Sequence, residues 1–136
     1  MRFELVDSII QQSDTRAVTR KQVSSAEEYL QDHFPGFPVL PGVLMLESMV
    51  QAARLVANTR KPGTRFVLGT VRALKYGAIV RPGDAIVVTV ELGKFESDVL
   101  EFKGSAILHR AGATLDPHTA PTAVSGRFTL RPVAIA

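Results

Sequence analysis

The feature that most limits what this chain can fold into is a proline-rich segment placed directly before its most apolar stretch. Residues 33–42, His-Phe-Pro-Gly-Phe-Pro-Val-Leu-Pro-Gly, hold three prolines and two glycines in ten positions. Proline breaks helices and cannot donate to the ladder of an inner strand, so this segment is predicted to be a stiff loop. Residues 43–58 have high helix propensity and are apolar on most sides, which predicts a buried helix. Pro41 suits the first turn of that helix, because the N–H group that proline lacks has no partner there in any case.

The rest of the chain is predicted to be mainly β-strands joined by turns. Runs rich in β-branched residues and separated by turn signals are typical of antiparallel strands, and they favour a β-meander. Ser25 to Glu28 have the spacing of a capping box, which predicts a short helix over 26–32. One long apolar helix beside five or six strands predicts an α+β domain with the sheet wrapped around the helix. The predicted strands are 2–12, 15–23, 64–80, 85–96, 98–110 and 122–131, with a turn at 81–84 and a loop over 111–121.

The composition fits one globular domain and excludes some kinds of site. The 136 residues are 46% hydrophobic and 21% charged, which is the ordinary balance for a domain with its own core, here expected to span 1–136. Because there is no cysteine, disulfides and thiolate metal sites are excluded. No apolar stretch reaches the roughly 20 residues that a transmembrane helix needs, and the first residues lack the apolar core of a signal peptide. We therefore expect a cytoplasmic protein that does not enter a membrane.

The basic residues are spread along the chain and do not form one run. The net charge is +3 and the pI is near 9.6. Since no basic and aromatic motif accompanies this charge, a nucleic-acid partner is not expected. The charges could serve an acidic protein partner, or they could simply be solvated on the surface.

Groups suited to catalysis come together at the start of the predicted helix. The chain has no phosphate-binding glycine loop and no nucleophile elbow, and His33, His109 and His118 lack a short metal-ligand spacing. A histidine such as His33 can accept or donate a proton near neutral pH. The N–H group of Gly42 lies at the helix N-terminus and could bind the carbonyl oxygen of a thioester, with no side chain to block the approach. Glu47, about 7.5 Å further along the helix axis, could protonate a leaving hydroxyl.

A purely structural explanation of the same residues stays open at this point. A single histidine near aromatic residues is usually structural, and the proline and glycine run could be only a connection. The polar positions of the helix recur at i, i+4, i+7 and i+11, which is the spacing of one stripe that could simply face water. Periodicity does not separate these explanations. The stripe consists of Glu47, Gln51, Arg54 and Asn58.

The segment from residue 33 to residue 52 resembles the signature of bacterial 3-hydroxyacyl-[acyl-carrier-protein] dehydratases. That signature reads roughly H-F-P-G-x-P-x-x-P-G-V-L-x-x-E-x-x-x-Q, and every fixed position is matched here. A match of this length is far more specific than a short glycine motif. The residues from Tyr76 to Asp84 are similar to the family's F-x-x-P-V-x-P-G-D segment, with Ile79 where proline is usual. Phe3 to Asp7 resemble its first strand, whereas the loop around Pro117 is longer than the family's usual hairpin.

The resemblance implies a hot-dog fold, in which an antiparallel sheet wraps around a long central helix. It also implies a homodimer as the active unit, which can assemble further into a trimer of dimers, with each active site at the dimer interface. His33 of one protomer and Glu47 of the other would then carry out a syn elimination of water from a 3-hydroxyacyl thioester. The Gly42 N–H group would polarise the thioester carbonyl, Gln51 would support Glu47, and no cofactor or metal would take part. The acyl chain is expected in a tunnel lined by Phe34, Phe37, Val39, Leu40 and Tyr76.

Two other functions stay open on the sequence alone. A hot-dog thioesterase would hydrolyse acyl thioesters through a carboxylate and a bound water, but it would not need His33. A non-catalytic module that binds acyl chains or carrier proteins would need neither His33 nor Glu47. Related dehydratase/isomerases carry aspartate at the position of Glu47, so the glutamate favours dehydration without isomerisation.

The partner that carries the substrate is expected to be an acyl carrier protein or coenzyme A. Scattered basic residues could dock an acidic carrier protein, and the candidates are Arg72, Lys75 and Arg81. The sequence does not specify the acyl chain length. It also leaves fatty acid synthesis, polyketide synthesis and aryl-polyene assembly open as pathways.

Overall fold

The structure is a computed structural model that describes residues 4–24 and 39–133. Its elements confirm the predicted α+β class, and most strands begin and end within two residues of the predicted positions. The predicted short helix over 26–32 and the first part of the proline-rich loop lie outside the described residues. The elements are β1 Ser8–Gln12, β2 Arg16–Gln22, α1 Gly42–Arg60, β3 Phe66–Tyr76, β4 Ala85–Glu96, β5 Val99–His109 and β6 Thr122–Pro132.

The six strands form one antiparallel sheet in the order β1-β2-β4-β5-β6-β3. The predicted meander is confirmed for β4, β5 and β6, which are consecutive in both sequence and space. It is wrong for β3, which pairs with β6 at the edge of the sheet and not with β4. With β3 at this edge, the single sheet curves around α1. The helix contacts five of its strands, β2, β3, β4, β5 and β6.

The first strand is shorter than the sequence pattern predicts. Strand β1 begins at Ser8, whereas the prediction began at residue 2. The chain before it is tied to the helix, because the N–H of Leu5 donates to Oε1 of Gln51 at 2.8 Å. Leu5 is 1% exposed. Its apolar side chain therefore packs into the core although the residue does not belong to a strand. A buried apolar residue of this kind produces the same alternating sequence pattern as a strand residue.

Helix α1 fills the concave side of the sheet. It extends from Gly42 to Arg60, two residues beyond the predicted end, and the N–H of Lys61 caps it by donating to O of Ala57 at 2.8 Å. Several of its buried positions are alanine or serine, which let the helix approach the strands closely. The buried helix residues are Leu44, Met45, Ser48, Met49, Val50, Ala52, Ala53, Val56 and Ala57.

Helix and sheet approach each other closely at Gly104 in the middle of β5. A Cβ added at Gly104 would lie 2.8 Å from Sδ of Met49 and 3.2 Å from Cε1 of Phe128. Both neighbours are buried in the core and cannot move freely. Glycine at this position therefore allows the helix to sit directly on the sheet.

Candidate active site

The N-terminus of α1 presents an unpaired backbone donor. Pro41 is the N-cap residue, one position before the first helical turn where it was expected. The N–H groups of Leu44 and Met45 donate to O of Pro41 at 3.0 and 3.2 Å. Within residues 4–24 and 39–133, the N–H of Gly42 has no hydrogen-bond partner. Together with the partial positive charge of the helix end, this N–H can receive the oxygen atom of a ligand.

An apolar cleft of about 330 Å³ opens beside this helix start. One wall is the chain leading into α1, which is held by a hydrogen bond of 2.8 Å from the N–H of Leu40 to O of Val80. The opposite wall is the end of β3, which is held by a hydrogen bond of 2.9 Å from the N–H of Gly77 to O of Ala123. The cleft is lined by Val39, Leu40, Gly42, Met45, Tyr76, Gly77, Ala78 and Ile79.

The cleft thus brings together all the predicted substrate-binding residues that the structure describes. Val39, Leu40 and Tyr76 line the same cleft as Gly42. The other two predicted tunnel residues, Phe34 and Phe37, lie outside the described residues. The side chain of Tyr76 covers Gly42 closely, since a Cβ at Gly42 would come within 2.8 Å of its Cζ atom.

Glu47 does not line this cleft. It lies five residues after Gly42 on α1, which at 3.6 residues per turn is about 140° around the helix axis. Its side chain is 36% exposed and faces a different side of the helix. Within one chain, Gly42 and the side chain of Glu47 therefore lie on different sides of the helix.

The carboxylate of Glu47 is held by two neighbours on the polar stripe. Nε2 of Gln51 and Nη1 of Arg54 both donate to its Oε1 atom, each at 3.4 Å. Gln51 accepts the backbone hydrogen bond from Leu5, and Nε of Arg54 donates to O of Phe66 at 3.2 Å. Glu47, Gln51 and Arg54 therefore form a connected polar network, whereas Asn58, the fourth residue of the stripe, is exposed.

The predicted base, His33, lies outside the described residues. The two other histidines do not join the cleft. His109 has both ring nitrogens engaged, with Nη1 of Arg20 at 2.9 Å and O of Ala113 at 2.7 Å. His118 is exposed in the loop between β5 and β6. Among the described histidines, His109 therefore has a structural role and neither is placed for catalysis at the cleft.

Three cations lie directly opposite one another on the outer face of the sheet. Arg72 of β3 is paired with Arg127 of β6, which is paired on its other side with Lys103 of β5. All three are exposed, and we call them the basic row. Lys75 joins Lys103 and Arg127 around a shallow depression of about 190 Å³. Two acids border the row, since Arg72 is ion-paired with Glu101 and Lys103 has Glu91 opposite it on β4. With Lys75 the surface keeps an excess of positive charge, and like charges in direct cross-strand register are unfavourable, so the basic row is suited to an anionic partner.

Arg81 does not belong to this group. It precedes β4, and its N–H donates to Oδ2 of Asp84 at 3.0 Å. The carboxylate of Asp84 also accepts from the N–H of Ala111 at 3.0 Å, so this turn is fastened to the loop after β5. Arg81 thus lies outside the surface that Arg72 and Lys75 share.

Sequence reasoning missed some of the lining residues and one contact. Met45 lies one helical turn after Gly42, a spacing that places both on one side of the helix. Ile79, which stands where the resembled family usually has proline, is 52% exposed at the same cleft. The hydrogen bond from Arg54 to Glu47, seven residues earlier, was indicated by nothing in the sequence except the polar stripe itself.

Two general properties of the described residues bear on function. Over residues 4–24 and 39–133, no group of three or more histidine, aspartate or glutamate side chains is arranged to hold a metal ion. In the same ranges, no helix has the length and apolar character required to cross a membrane.

Sequence comparisons place the chain among dehydratases. A family model described as ApeI-like, ApeI dehydratase, matches residues 9–112. The 3-hydroxyacyl-[acyl-carrier-protein] dehydratase FabZ of Pelotomaculum thermopropionicum is 43% identical over 109 residues, which cover 76% of each chain. FabZ of Thermus thermophilus is 38% identical over 121 residues, which cover 83% of this chain and 84% of the relative.

Solved structures share the fold at much lower identity. A chain of the dehydratase heterocomplex ApeI:P from Xenorhabdus doucetiae superposes with a TM-score of 0.73 at 17% identity, covering 96% of this chain and 84% of that one. A hypothetical thioesterase protein with coenzyme A from Streptococcus pneumoniae superposes with a TM-score of 0.66 at 13% identity, covering 93% of this chain and 85% of that one. These likenesses confirm the hot-dog fold.

Proposed function

The chain belongs to the family of 3-hydroxyacyl-[acyl-carrier-protein] dehydratases, and from this premise we propose that it removes water from 3-hydroxyacyl thioesters with His33 and Glu47 as its proton-transfer pair. The product is a trans-2-enoyl thioester, and the reaction is reversible. Enzymes of this kind are hydro-lyases. The observation that supports the proposal best is the apolar cleft at the start of α1, with the unpaired N–H of Gly42 on its wall.

The elimination needs a base, a carbonyl donor and an acid. His33 removes the proton from the carbon next to the thioester carbonyl, while the Gly42 N–H group stabilises the negative charge that develops on the carbonyl oxygen. The electron pair released at that carbon forms the new double bond as the bond to the 3-hydroxyl breaks. Glu47 supplies the proton with which the hydroxyl leaves as water. A proton returned from His33 to Glu47 through solvent restores the starting state.

The acid and the carbonyl donor of one active site come from two copies of the chain. Gly42 and Glu47 lie about 140° apart around α1, and Glu47 does not line the Gly42 cleft, so we assign the two groups of one active site to different copies of the chain. In a two-fold dimer, each copy can place its Glu47 against the Gly42 cleft of the other. This arrangement also gives the polar stripe a partner surface in place of open water.

The acyl chain occupies the cleft between α1 and β3. Its walls are mainly aliphatic and aromatic side chains, which suit a hydrocarbon and exclude water from the reacting carbons. Val39, Leu40 and Tyr76 form the described part of this tunnel. Phe34 and Phe37 stay predicted members of it.

The substrate is delivered by an acyl carrier protein. The names of the FabZ relatives specify acyl-carrier-protein substrates, and the basic row offers charge complementarity to an acidic carrier. Lys75 connects this surface to the cleft, because the next residue in β3 is Tyr76. The carrier therefore docks on the outer face of β3, β5 and β6, from which its thioester arm reaches the cleft.

The test is an assay with 3-hydroxybutyryl thioester that follows two signals. Dehydration adds ultraviolet absorbance from the conjugated product, hydrolysis releases a free thiol, and a binding module gives neither signal. We expect the absorbance alone. His33→Ala and Glu47→Gln should each abolish most of it while the oligomer stays folded. Thiol release without the absorbance change would instead assign the protein to the thioesterases, whose fold it shares.

A further inference from the structure

We infer that Arg54 is a positioning residue for Glu47 that fixes which oxygen of the carboxyl group faces the substrate. The inference rests on the proposed role of Glu47 as the acid. Arg54 follows Glu47 by two turns on the same face of α1, and helical side chains lean toward the N-terminus, so a long side chain can reach back to it.

Both hydrogen bonds to the carboxyl group of Glu47 go to the same atom. Nη1 of Arg54 and Nε2 of Gln51 each donate to Oε1 at 3.4 Å. In the part of the chain that the structure describes, the Oε2 atom has no hydrogen-bond partner. Because a guanidinium can only donate, Oε1 is held as an acceptor. The proton that the acid gives to the leaving hydroxyl is therefore carried by Oε2.

Arg54 is itself held in place by the sheet. Its Nε donates at 3.2 Å to the backbone oxygen of Phe66, the first residue of β3. Phe66 is 4% exposed and is paired with Pro132 of β6, so this anchor is rigid. The planar guanidinium thereby connects the carboxylate on the helix to the backbone of the strand, with two donors in a fixed relative geometry.

Gln51 alone does not fix the carboxyl group. Its amide is anchored at Leu5 and approaches Oε1 along the helix, whereas Arg54 approaches from the direction of β3. With Gln51 as the only donor, the carboxyl group of Glu47 could still rotate about its last side-chain bond. The second donor, Arg54, restricts this rotation because it is anchored elsewhere. Misplacement of a reacting group by about 1 Å can cost on the order of 100-fold in rate.

Arg65 provides a matched control. It lines the same cleft of about 880 Å³ as Arg54, but in the described residues it forms no hydrogen bond or ion pair with Glu47. Replacing Arg65 by methionine therefore removes the same charge from the same region. An effect that came only from charge would appear in both variants.

The experiment compares steady-state kinetics of Arg54→Met, Arg54→Lys and Arg65→Met on 3-hydroxybutyryl thioester. We expect kcat to fall about 10- to 100-fold in Arg54→Met with KM within about twofold of wild type, since orientation and not binding is lost. Arg54→Lys keeps the charge without the planar fork and should also be impaired. Arg65→Met should match wild type. If Arg54→Met does not fold, the kcat of Arg54→Lys tests the inference in its place.

A second measurement separates positioning of Glu47 from a general structural effect. In a Glu47→Asp background the shorter carboxyl group cannot reach Arg54, so adding Arg54→Met should change kcat by less than about threefold. A wild-type kcat in Arg54→Met, full kcat in Arg54→Lys, an equal loss in Arg65→Met, or an undiminished effect in the Glu47→Asp background would each overturn the inference. An inactive wild-type enzyme would instead defeat the proposed function.

Discussion

The side chain of Tyr76 lies against Gly42 so closely that a Cβ on the glycine would come within 2.8 Å of Cζ of the tyrosine. Gly42 begins α1 and Tyr76 ends β3, so this contact joins the two walls of the cleft at the Gly42 N–H, which has no hydrogen-bond partner within the described residues. Tyr76 is nevertheless 51% exposed, which leaves its ring room to move. The cleft is therefore closed at this end by a side chain and not by backbone.

Gly42→Ala should impair catalysis much more than stability. The new methyl group pushes the Tyr76 ring across the cleft beside the carbonyl donor, and we expect kcat/KM to fall about 10- to 100-fold. Alanine is a better helix former than glycine and the ring can shift, so the free energy of unfolding should change by less than about 1 kcal/mol. Kinetics and chemical denaturation on the same preparation check this. Tyr76→Ala combined with Gly42→Ala removes the clash and should recover part of the loss; no recovery would contradict the steric explanation.

Two inactive variants should restore one another when they are mixed. If each active site takes His33 from one copy and Glu47 from the other, a dimer of His33→Ala with Glu47→Gln contains one intact site and one doubly defective site. Random re-association at equal concentrations then gives about one quarter of wild-type activity. The measurement is dehydration after the two variants are unfolded together and refolded. Activity no higher than that of either variant alone would place both groups in the same chain.

Gly104→Ala should destabilise the fold. The added Cβ would meet Sδ of Met49 at 2.8 Å and the ring of Phe128 at 3.2 Å in a closely packed core. Overpacking of this kind costs about 1 to 3 kcal/mol, which thermal or denaturant unfolding would detect. Gly93→Ala in the neighbouring strand is a suitable control, because the nearest atom to its Cβ would be 3.6 Å away. Met49→Ala in the Gly104→Ala background tests whether the helix contact is the cause.

Charge reversal in the basic row should weaken use of carrier-protein substrates only. For Lys103→Glu and Arg127→Glu we expect KM for a carrier-bound thioester to rise about tenfold, with a smaller difference at high salt. The KM for an N-acetylcysteamine thioester should be unchanged, since that small carrier has no anionic group with which to contact the row. Arg127→Glu should also relieve repulsion from Arg72 and Lys103, which is worth roughly 0.2 to 1 kcal/mol of stability. Lys103→Glu gains a pair with Arg127 but places a carboxylate opposite Glu91, so no net gain in stability is expected for it.

Lys94→Glu gives the same change in net charge outside the row, near the end of β4. It should leave both KM values unchanged. An equal rise for the N-acetylcysteamine substrate, or an equal effect of Lys94→Glu, would show that the outer face of β3, β5 and β6 is not the docking surface.

Most of the fold could be predicted because its elements are long and regular. Residues 43–58 carry one apolar pattern bounded by proline and glycine signals, and strand 85–96 was predicted with the bounds that the structure gives. The position of β3 in the sheet could not be predicted. The strand order depends on how the sheet covers the helix, which is not a local property. The residue pattern of 66–76 is equally compatible with pairing to β4 and with the observed pairing to β6.

The candidate site was predicted where backbone constraints are strong. A stiff loop followed by a helix start specifies an exposed donor at Gly42, and the structure places Val39, Leu40 and Tyr76 around it. The surroundings of Glu47 were not predictable. A stripe of polar residues looks the same whether its members contact each other or water, and only the fold shows that Arg54 reaches Glu47. The role of His33 stays a prediction.

The hydrogen bond between Leu5 and Gln51 has a practical consequence for anyone who handles this protein. The segment before β1 and the proposed acid contact the same side-chain amide, that of Gln51. Its oxygen accepts from the N–H of Leu5, and its nitrogen donates to Glu47. A fusion partner or proteolytic cut near Leu5 would loosen that amide and so disturb the proposed acid indirectly. Preparations that differ only at this end of the chain should therefore be compared for specific activity before their rates are attributed to anything else.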